Sequence, residues 1–448
     1  MKNKYLVIKA NGELVEPEIF LSSKECEHEF RLVIEREALG IKAKESNDRP
    51  KYLRYANKFG FDWEDNSSPG FIQYNHKADL MMRLVKEYAR KLVNEIGLPI
   101  YEVKGANFFD LDYPVVQAYA KLFGDRLFIH NNDDKKLVMS YDASYPQFNL
   151  ARKSSINSNA MPFAHFSISD CYRYEQSGEC MLLFRGRRFF MPDLHPYLRD
   201  LNEAWKWYFK LNEKLVESFD SADRKFWNNI KVSSEKNWEK FSGHIKEIVK
   251  RGNKPALVEI RCDKVDRYWI IDVDYSIVDN LNQVREIGCI QIDAGNAKRL
   301  GIMYFDKSGK RKFPVIIHAA IPGGIERYLY MVFDNFKAGF PLWFYPVQVR
   351  LLLVGEDQKK AAMNFIQKIS DLNLKLRIEI DDRAESVSKK IKLAHEDLIP
   401  NYFVFGQKEA ADSSDIMDKL IGLDKEVRNF PFIQFSWPRE LSHQIKQK

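Results

Sequence analysis

Apolar and polar positions along this chain fall into two periods, one helical and one alternating. Residues 77–96, KADLMMRLVKEYARKLVNEI, place Leu80, Leu84, Val85, Tyr88, Leu92, Val93 and Ile96 on one side. That spacing predicts an amphipathic helix, ended by Gly97 and Pro99. Upstream, Tyr5-Leu6-Val7-Ile8 reads as a strand and 25–37 as a charged helix, with turns at 47–50 and 66–70. Between 100 and 148, short apolar runs such as YEVKGANFF and RLFIH predict strands broken by loops. Within 163–195, two alternating runs flank Gln176-Ser177-Gly178-Glu179, which predicts a β-hairpin. The Trp-, Lys- and Glu-rich stretch 200–250 predicts inserted helices. Strand signals return at 268–278, 285–293 and 314–324, and the last runs into the helical periodicity of 325–333.

Gly339-Phe340-Pro341 marks a break. Beyond it come a strand (347–354), a helix (357–370), a strand (LKLRIEI), a helix (383–398) and a strand (NYFVFG). This alternation predicts a compact α/β unit with a mixed or parallel sheet. The expected division is an N-terminal extension over 1–70, a catalytic domain over 71–338 and a separate tail over 339–448.

Composition adds bounds. The 448 residues are 45% apolar and 30% charged, enough for a large core, which excludes disorder as the main state. Seventy Lys and Arg against 63 Asp and Glu leave a net charge of +7, which permits an anionic partner without demanding one. Five cysteines, none spaced CxxC, make no disulfide framework. The first residues turn polar before an apolar run of useful length, and no run approaches 18 apolar residues. No leader, no membrane span and a reducing cytoplasmic setting are therefore expected.

Three constellations carry candidate chemistry. Arg173 with Glu175, and Arg185 with Arg187, sit two apart on the two expected hairpin strands, so each pair faces one side. Guanidinium groups there would grip phosphate oxygens, with Phe189 flat against a base. A solvated strand face crossed by Arg–Glu pairs satisfies the same pattern. Gly323-Gly324-Ile325-Glu326-Arg327 turns an apolar strand into a helix, where backbone and Arg327 can meet a phosphate; two glycines at a strand end are also an ordinary turn. His195 and His318 each read as core histidines in isolation, yet with an anionic third ligand they would hold Zn²⁺ with an open position.

The pieces RYEQSGE, FRGRRFFMPDLH, IGCIQIDAGNAKRLG, PVIIHAAIPGGIERYLY and GFPLWFYPVQV occur in this order. Together they resemble the threonyl-tRNA synthetases of the archaeal-type branch, over roughly residues 35–410. The resemblance implies an α+β fold: a class II aminoacyl-tRNA synthetase antiparallel sheet flanked by helices, plus a C-terminal α/β anticodon-binding domain. It implies ATP-dependent activation of threonine and transfer to tRNA(Thr), with Mg²⁺ on the phosphates, by a cytoplasmic homodimer. Arg173 would hold the α-phosphate, Glu175 contact adenine, Arg185 match an arginine of the motif 2 pair near the ATP tail, Arg187 belong to the same ATP-binding set, Phe189 stack on adenine, Gln291 lie near the phosphates and Arg327 bind the γ-phosphate. Asp193 would accept the threonine hydroxyl, and Trp269 would line the substrate pocket. No acid–base residue is needed when a bound carboxylate attacks, because alignment and charge stabilisation do the work.

Departures from the family pattern matter as much. Its metal site uses two histidines, aligned with His195 and His318, and a cysteine, aligned with Ser144. Serine is a poor zinc ligand at neutral pH; Asp142, two residues away on the same expected strand face, would then have to reach the metal. Ala106 and Asn107 stand where motif 1 usually has proline. About 70 residues precede the helix that ends at Gly97, too few for the family's N-terminal editing unit, so a separate trans-editing protein is expected to clear seryl-tRNA, since losing one methyl costs only about 1–3 kcal/mol of discrimination. The tail carries 17 Lys and Arg against 16 Asp and Glu, so anticodon reading would rest on local groups such as Arg383, Lys389 and Lys390 with base stacking. The rival reading is a catalytically altered synthetase-like paralogue acting as a tRNA-binding module. An amino-acid:AMP ligase with a small acceptor fits less well with an intact tail domain.

Overall fold

The computed structural model describes residues 3–41, 48–132, 134–336 and 339–428. The chain divides into two compact units: residues 1–57, 61–73 and 89–335, and residues 58–60, 74–88 and 336–448. The helix expected over 77–96 is present as His76–Asn94.

The first unit is organised by one ten-stranded sheet. In chain order its strands are β1 (Lys4–Ile8), β2 (Leu14–Val15), β3 (Ile100–Glu102), β4 (Phe163–Tyr172), β5 (Arg188–Leu198), β6 (Trp227–Val232), β7 (Ala256–Ile260), β8 (Trp269–Val278), β9 (Val284–Asp293) and β10 (Val315–Ala320). Their spatial order is β2-β1-β7-β6-β8-β9-β10-β5-β4-β3. All neighbours are antiparallel except the β3–β4 and β6–β7 pairs. The N-terminal segment is thus part of this sheet, because β1 adds to β7 and buries Val7 against Phe30, Trp227 and Leu257.

The two faces of the sheet divide the labour. On β9, a side chain at Gly288 would touch Leu215 of the helix Leu201–Asp220 at 3.6 Å. That helix buries Ala204, Trp205, Tyr208, Leu211, Leu215 and Phe219, a stripe at helical spacing with Asp200 capping its N-terminus. Cys289, Gln291 and Asp293 have the opposite parity on β9 and point to the other face. Met191, Asp193 and His195 on β5 and His318 on β10 share that second face.

Three expectations need correction. The hairpin β4–β5 exists, but Arg173, Glu175, Arg185 and Arg187 lie on the connection beyond its strand ends, not on a strand face. Residues 200–250 contain a strand, β6, which sits inside the sheet and is buried along most of its length; its Trp and Asn content hid it among helical neighbours. Ser144 begins a helix, Ser144–Lys153, instead of sitting on a strand with Asp142. Tyr145, Phe148 and Ala151 recur at spacing three and are buried there, and Pro146 is tolerated in the first turn.

The second unit holds a three-stranded parallel sheet, Val349–Leu353 flanked by Ile378–Asp381 and Asn401–Phe405. Helices Lys359–Asp371, Val387–Glu396 and Ser414–Arg428 cover it, with a core of Val349, Leu351, Phe365, Ile369, Ile378 and Leu420. Arg350 is buried and pairs with Glu379 and Asp397. Of the three cations expected to face RNA, Lys390 is only 2% exposed and donates to the Leu353 carbonyl. Arg383 is clamped by Asp381, and Lys389 is exposed.

Candidate active site

The hairpin connection and the start of the helix Ile325–Asp334 close around a cleft of about 290 Å³. Arg173, Glu175, Arg185, Phe189, Gly324 and Arg327 all line it. Backbone carbonyls hold two of the arginines. Arg173 Nε donates to the Tyr141 carbonyl at 3.1 Å, and its guanidinium lies over Phe123 at 5.4 Å and Phe189 at 5.1 Å. Arg327 Nε donates to the Phe184 carbonyl and Nη1 to the Glu286 carbonyl, both at 3.1 Å, while the Phe184 ring lies 4.8 Å below. Withdrawal from water, reinforced by Arg173 and Arg185 and opposed by Glu286, holds the Arg327 guanidinium below its ordinary pKa. Such crowding of positive charge is the signature of a place built for a polyanion.

Gly323 makes that approach possible. Its φ is +106°, and a Cβ there would sit 2.5 Å from the Ile287 carbonyl oxygen, so only glycine fits. The following helix is tied to β5 by Glu326, whose carboxylate accepts the Phe190 amide at 2.9 Å. Glu175 is 4% exposed. Its Oε2 lies 3.3 Å from Arg185 Nε, yet among the described residues no hydrogen bond reaches this buried oxygen. Arg187 does not line the cleft: it is buried, donates to the Glu175 carbonyl at 2.8 Å and lies over the Tyr174 ring at 4.6 Å. It shapes the connection instead of facing its opening.

A second chamber of about 370 Å³ continues from the first, sharing Arg126, Arg173, Met191 and Cys289. Asp142, Ser144, Asp193, Tyr268, Gln291 and His318 line it. His195 is fully buried behind it. Ser144 Oγ lies 3.0 Å from His195 Nε2, 3.4 Å from His318 Nδ1 and 3.2 Å from Asp193 Oδ2. The two ring nitrogens face each other at 3.2 Å.

Partners behind the rings set their protons. Gln147 Nε2 donates to the Asp193 carbonyl at 3.0 Å, so its Oε1 accepts, at 2.9 Å, from His195 Nδ1–H. Asp293 accepts from His318 Nε2 at 2.8 Å. Both inner nitrogens would then present lone pairs, and one proton between them resolves the conflict. Burial works against charge on His318, but the Asp293 hydrogen bond and the Asp293, Asp193 and Asp142 charges outweigh it and raise its pKa. Burial, then His318 and His165, push His195 well down. These opposed directions favour the proton on His318 over His195. Burial, opposed by the His318 charge, raises Asp193 to about 6.

Three expected positions differ. Gln291 lies in this second chamber, not at the arginine cleft, and its Oε1 accepts from Tyr268 OH at 2.8 Å. Trp269 does not line the chamber and sits under Arg267 at 5.6 Å; Tyr268 lines it instead, next to a register shift at Trp269. Asp142 lines the chamber with its oxygens already engaged, accepting from Tyr119 OH at 2.8 Å and the Tyr145 amide at 3.1 Å. The zinc ion implied by the resemblance thus finds two imidazole nitrogens and a serine hydroxyl. Among the described residues no three His, Cys, Asp or Glu side chains are grouped to hold a metal. The donor set does not fit zinc. Arg126, which lines both chambers, and Gln147 carried no motif signal; only the fold brings them here.

Comparison with known proteins agrees with this architecture. Residues 127–336 match the family described as tRNA synthetase class II core domain (G, H, P, S and T). The threonine–tRNA ligase of Pyrobaculum islandicum is 38% identical across 98% of this chain and 74% of that protein. Those of Staphylothermus marinus and Thermofilum pendens are each 36% identical, across 99% and 94% of this chain and 74% and 72% of theirs. Among solved structures, the RNA-binding domain of threonyl-tRNA synthetase from Cryptosporidium parvum superposes with a TM-score of 0.74 at 19% identity, over 86% of this chain and 99% of that one. Prolyl-tRNA synthetase from the same organism gives 0.62 at 11% identity, over 84% and 78%. With 36–38% identity over nearly the whole chain and about three quarters of each relative, the chain belongs to the threonine–tRNA ligase family.

Proposed function

We propose that this chain activates threonine with MgATP and transfers it to tRNA(Thr). The observation that carries the reading is the convergence of Arg173, Arg185 and Arg327 on one cleft that opens into the Asp193 chamber. A threonine carboxylate oxygen attacks the α-phosphorus, the bond to the β-phosphate oxygen breaks, and pyrophosphate leaves. Arg173, which borders both chambers, takes the α-phosphate; Arg185 and Arg327 take the distal phosphates of a bent triphosphate. Phe189 provides a ring for the base, and the Glu175 oxygen, which no hydrogen bond reaches among the described residues, suits an exocyclic amine. Asp193 accepts the threonine hydroxyl. The terminal ribose hydroxyl of tRNA then attacks the threonyl carbonyl, and AMP leaves. Mg²⁺ enters with ATP and shields its phosphates.

Residues 339–448 bind the anticodon, with Lys389 as the exposed cation among those named from the sequence. The enzyme works as a homodimer in the cytoplasm, with a separate protein clearing seryl-tRNA; among the described residues no helix is long and apolar enough to cross a membrane. The rival reading, a tRNA-binding paralogue without activation, would have let the cleft decay, whereas its arginines and Asp193 are in place. Threonine-dependent ATP–pyrophosphate exchange and charging of tRNA(Thr) test the reading; a folded chain that binds tRNA but gives no exchange would refute it.

A further inference from the structure

In the chamber assigned above to threonine, Ser144 stands where the family resemblance places a cysteine, and its neighbours are organised to work without a thiol at that position. We propose that this chain selects its amino acid through a metal-free hydrogen-bond cluster of Ser144, His195, His318 and Asp193, with Ser144 as a specificity-determining residue. The inference rests on the reading of this chamber as the threonine pocket.

The donor chemistry comes first. An open zinc site needs three protein ligands, and a serine hydroxyl remains protonated at neutral pH, where a cysteine gives up its proton to the metal. Among the described residues no three His, Cys, Asp or Glu side chains are grouped to make up the deficit. Asp142 is committed to Tyr119 and Tyr145. Asp193 is engaged by Ser144 at 3.2 Å. Ser144 Oγ instead occupies the middle of the cluster, within 3.4 Å of both inner ring nitrogens and of Asp193. Gln147 and Asp293 lock the two rings from behind, so the inner edge is a rigid row of donors and acceptors without further reorganisation.

Such a row can read a hydroxyl directly. The β-hydroxyl of threonine donates to Asp193 and accepts from the Ser144–His318 edge. Valine offers neither, and leaves buried polar groups unpaired. Sites of this kind reject the analogue lacking the hydroxyl by about 10⁴-fold or more, so no metal is required for the discrimination. Serine satisfies the same bonds and loses only the contact of one methyl, a difference of about 10–200-fold.

The test begins with zinc content, measured by elemental mass spectrometry on the full chain after dialysis against excess zinc. The wild type should hold no stoichiometric zinc, and Ser144→Cys should take up about one ion per chain, since it restores the Cys–His–His donor set. Stoichiometric zinc in the wild type, or a folded Ser144→Cys protein that remains metal-free, would overturn the proposal. Threonine-dependent exchange by the wild type should be indifferent to a chelator; loss of exchange that zinc restores would also overturn it. Ser144→Ala should lower the threonine-to-valine ratio of kcat/KM about 10–100-fold, as loss of one buried hydrogen-bonding group does; an unchanged ratio removes Ser144 from selection. Zinc content is read without substrate, so a metal-free wild type that fails to activate threonine would refute the function proposed above while leaving the cluster metal-free.

Discussion

Replacing Arg327 by alanine separates the two jobs a charged cleft residue can do. The guanidinium is anchored before any nucleotide arrives, by the Phe184 and Glu286 carbonyls at 3.1 Å and the Phe184 ring. A preorganised cation of this kind is worth about 2.7–4 kcal/mol in the transition state, so Arg327→Ala should slow threonine-dependent ATP–pyrophosphate exchange by about 10²–10³-fold. Stability should hardly move. Arg173 and Arg185 push against Arg327 in the free enzyme, so its removal relieves repulsion while losing two hydrogen bonds, and the melting temperature should stay within a few degrees. Arg327→Lys keeps a charge but not the planar fork that grips both carbonyls, and should fall between wild type and alanine. Exchange within about threefold of wild type, or a loss that follows unfolding in the same buffer, would refute the assignment.

Three further outcomes follow from the same geometry. Arg350→Met leaves Glu379, 1% exposed, without its cation, and should cost about 3–5 kcal/mol in denaturant unfolding; an unchanged midpoint would contradict a stabilising role for this pair. Gly323→Ala forces a side chain into the Ile287 carbonyl at a φ of +106°; exchange should drop by about 10²-fold as the helix start and Arg327 shift, and full activity would contradict the fit. Tyr268→Phe removes the hydrogen bond to Gln291 and should raise the KM for threonine several-fold with kcat kept, whereas Trp269→Ala should leave that KM unchanged; the reverse pattern would return Trp269 to the pocket.

What could be read in advance follows the range of each interaction. The helix His76–Asn94 and the parallel tail sheet are local patterns, since a helical stripe or an alternating run is visible within a dozen residues. The strand Trp227–Val232 was hidden because its burial comes from neighbours on both sides in the sheet, not from its own composition. Lys390 reads as a surface cation, yet the packing of its helix sends its amine to the Leu353 carbonyl. Arg187 follows the same rule: spacing placed it beside Arg185, and a connection that leaves the strand turned it toward Tyr174.

The order of residues alone determined which chemistry was at hand: arginines and a glutamate around a hairpin, a glycine turn before Arg327, two histidines, and serine where a thiol is usual. Those are identities, and folding does not alter them. Tertiary structure decided which of them meet. Arg173 and Arg185 share one hairpin connection, Arg327 lies more than a hundred residues further along the chain, and only the pairing of β5 with β10, and of β10 with β9, carries them to one cleft. The same pairing sets His195 against His318 with Ser144 between them, because side-chain direction on a strand is fixed by register, a property of two strands and not of either one.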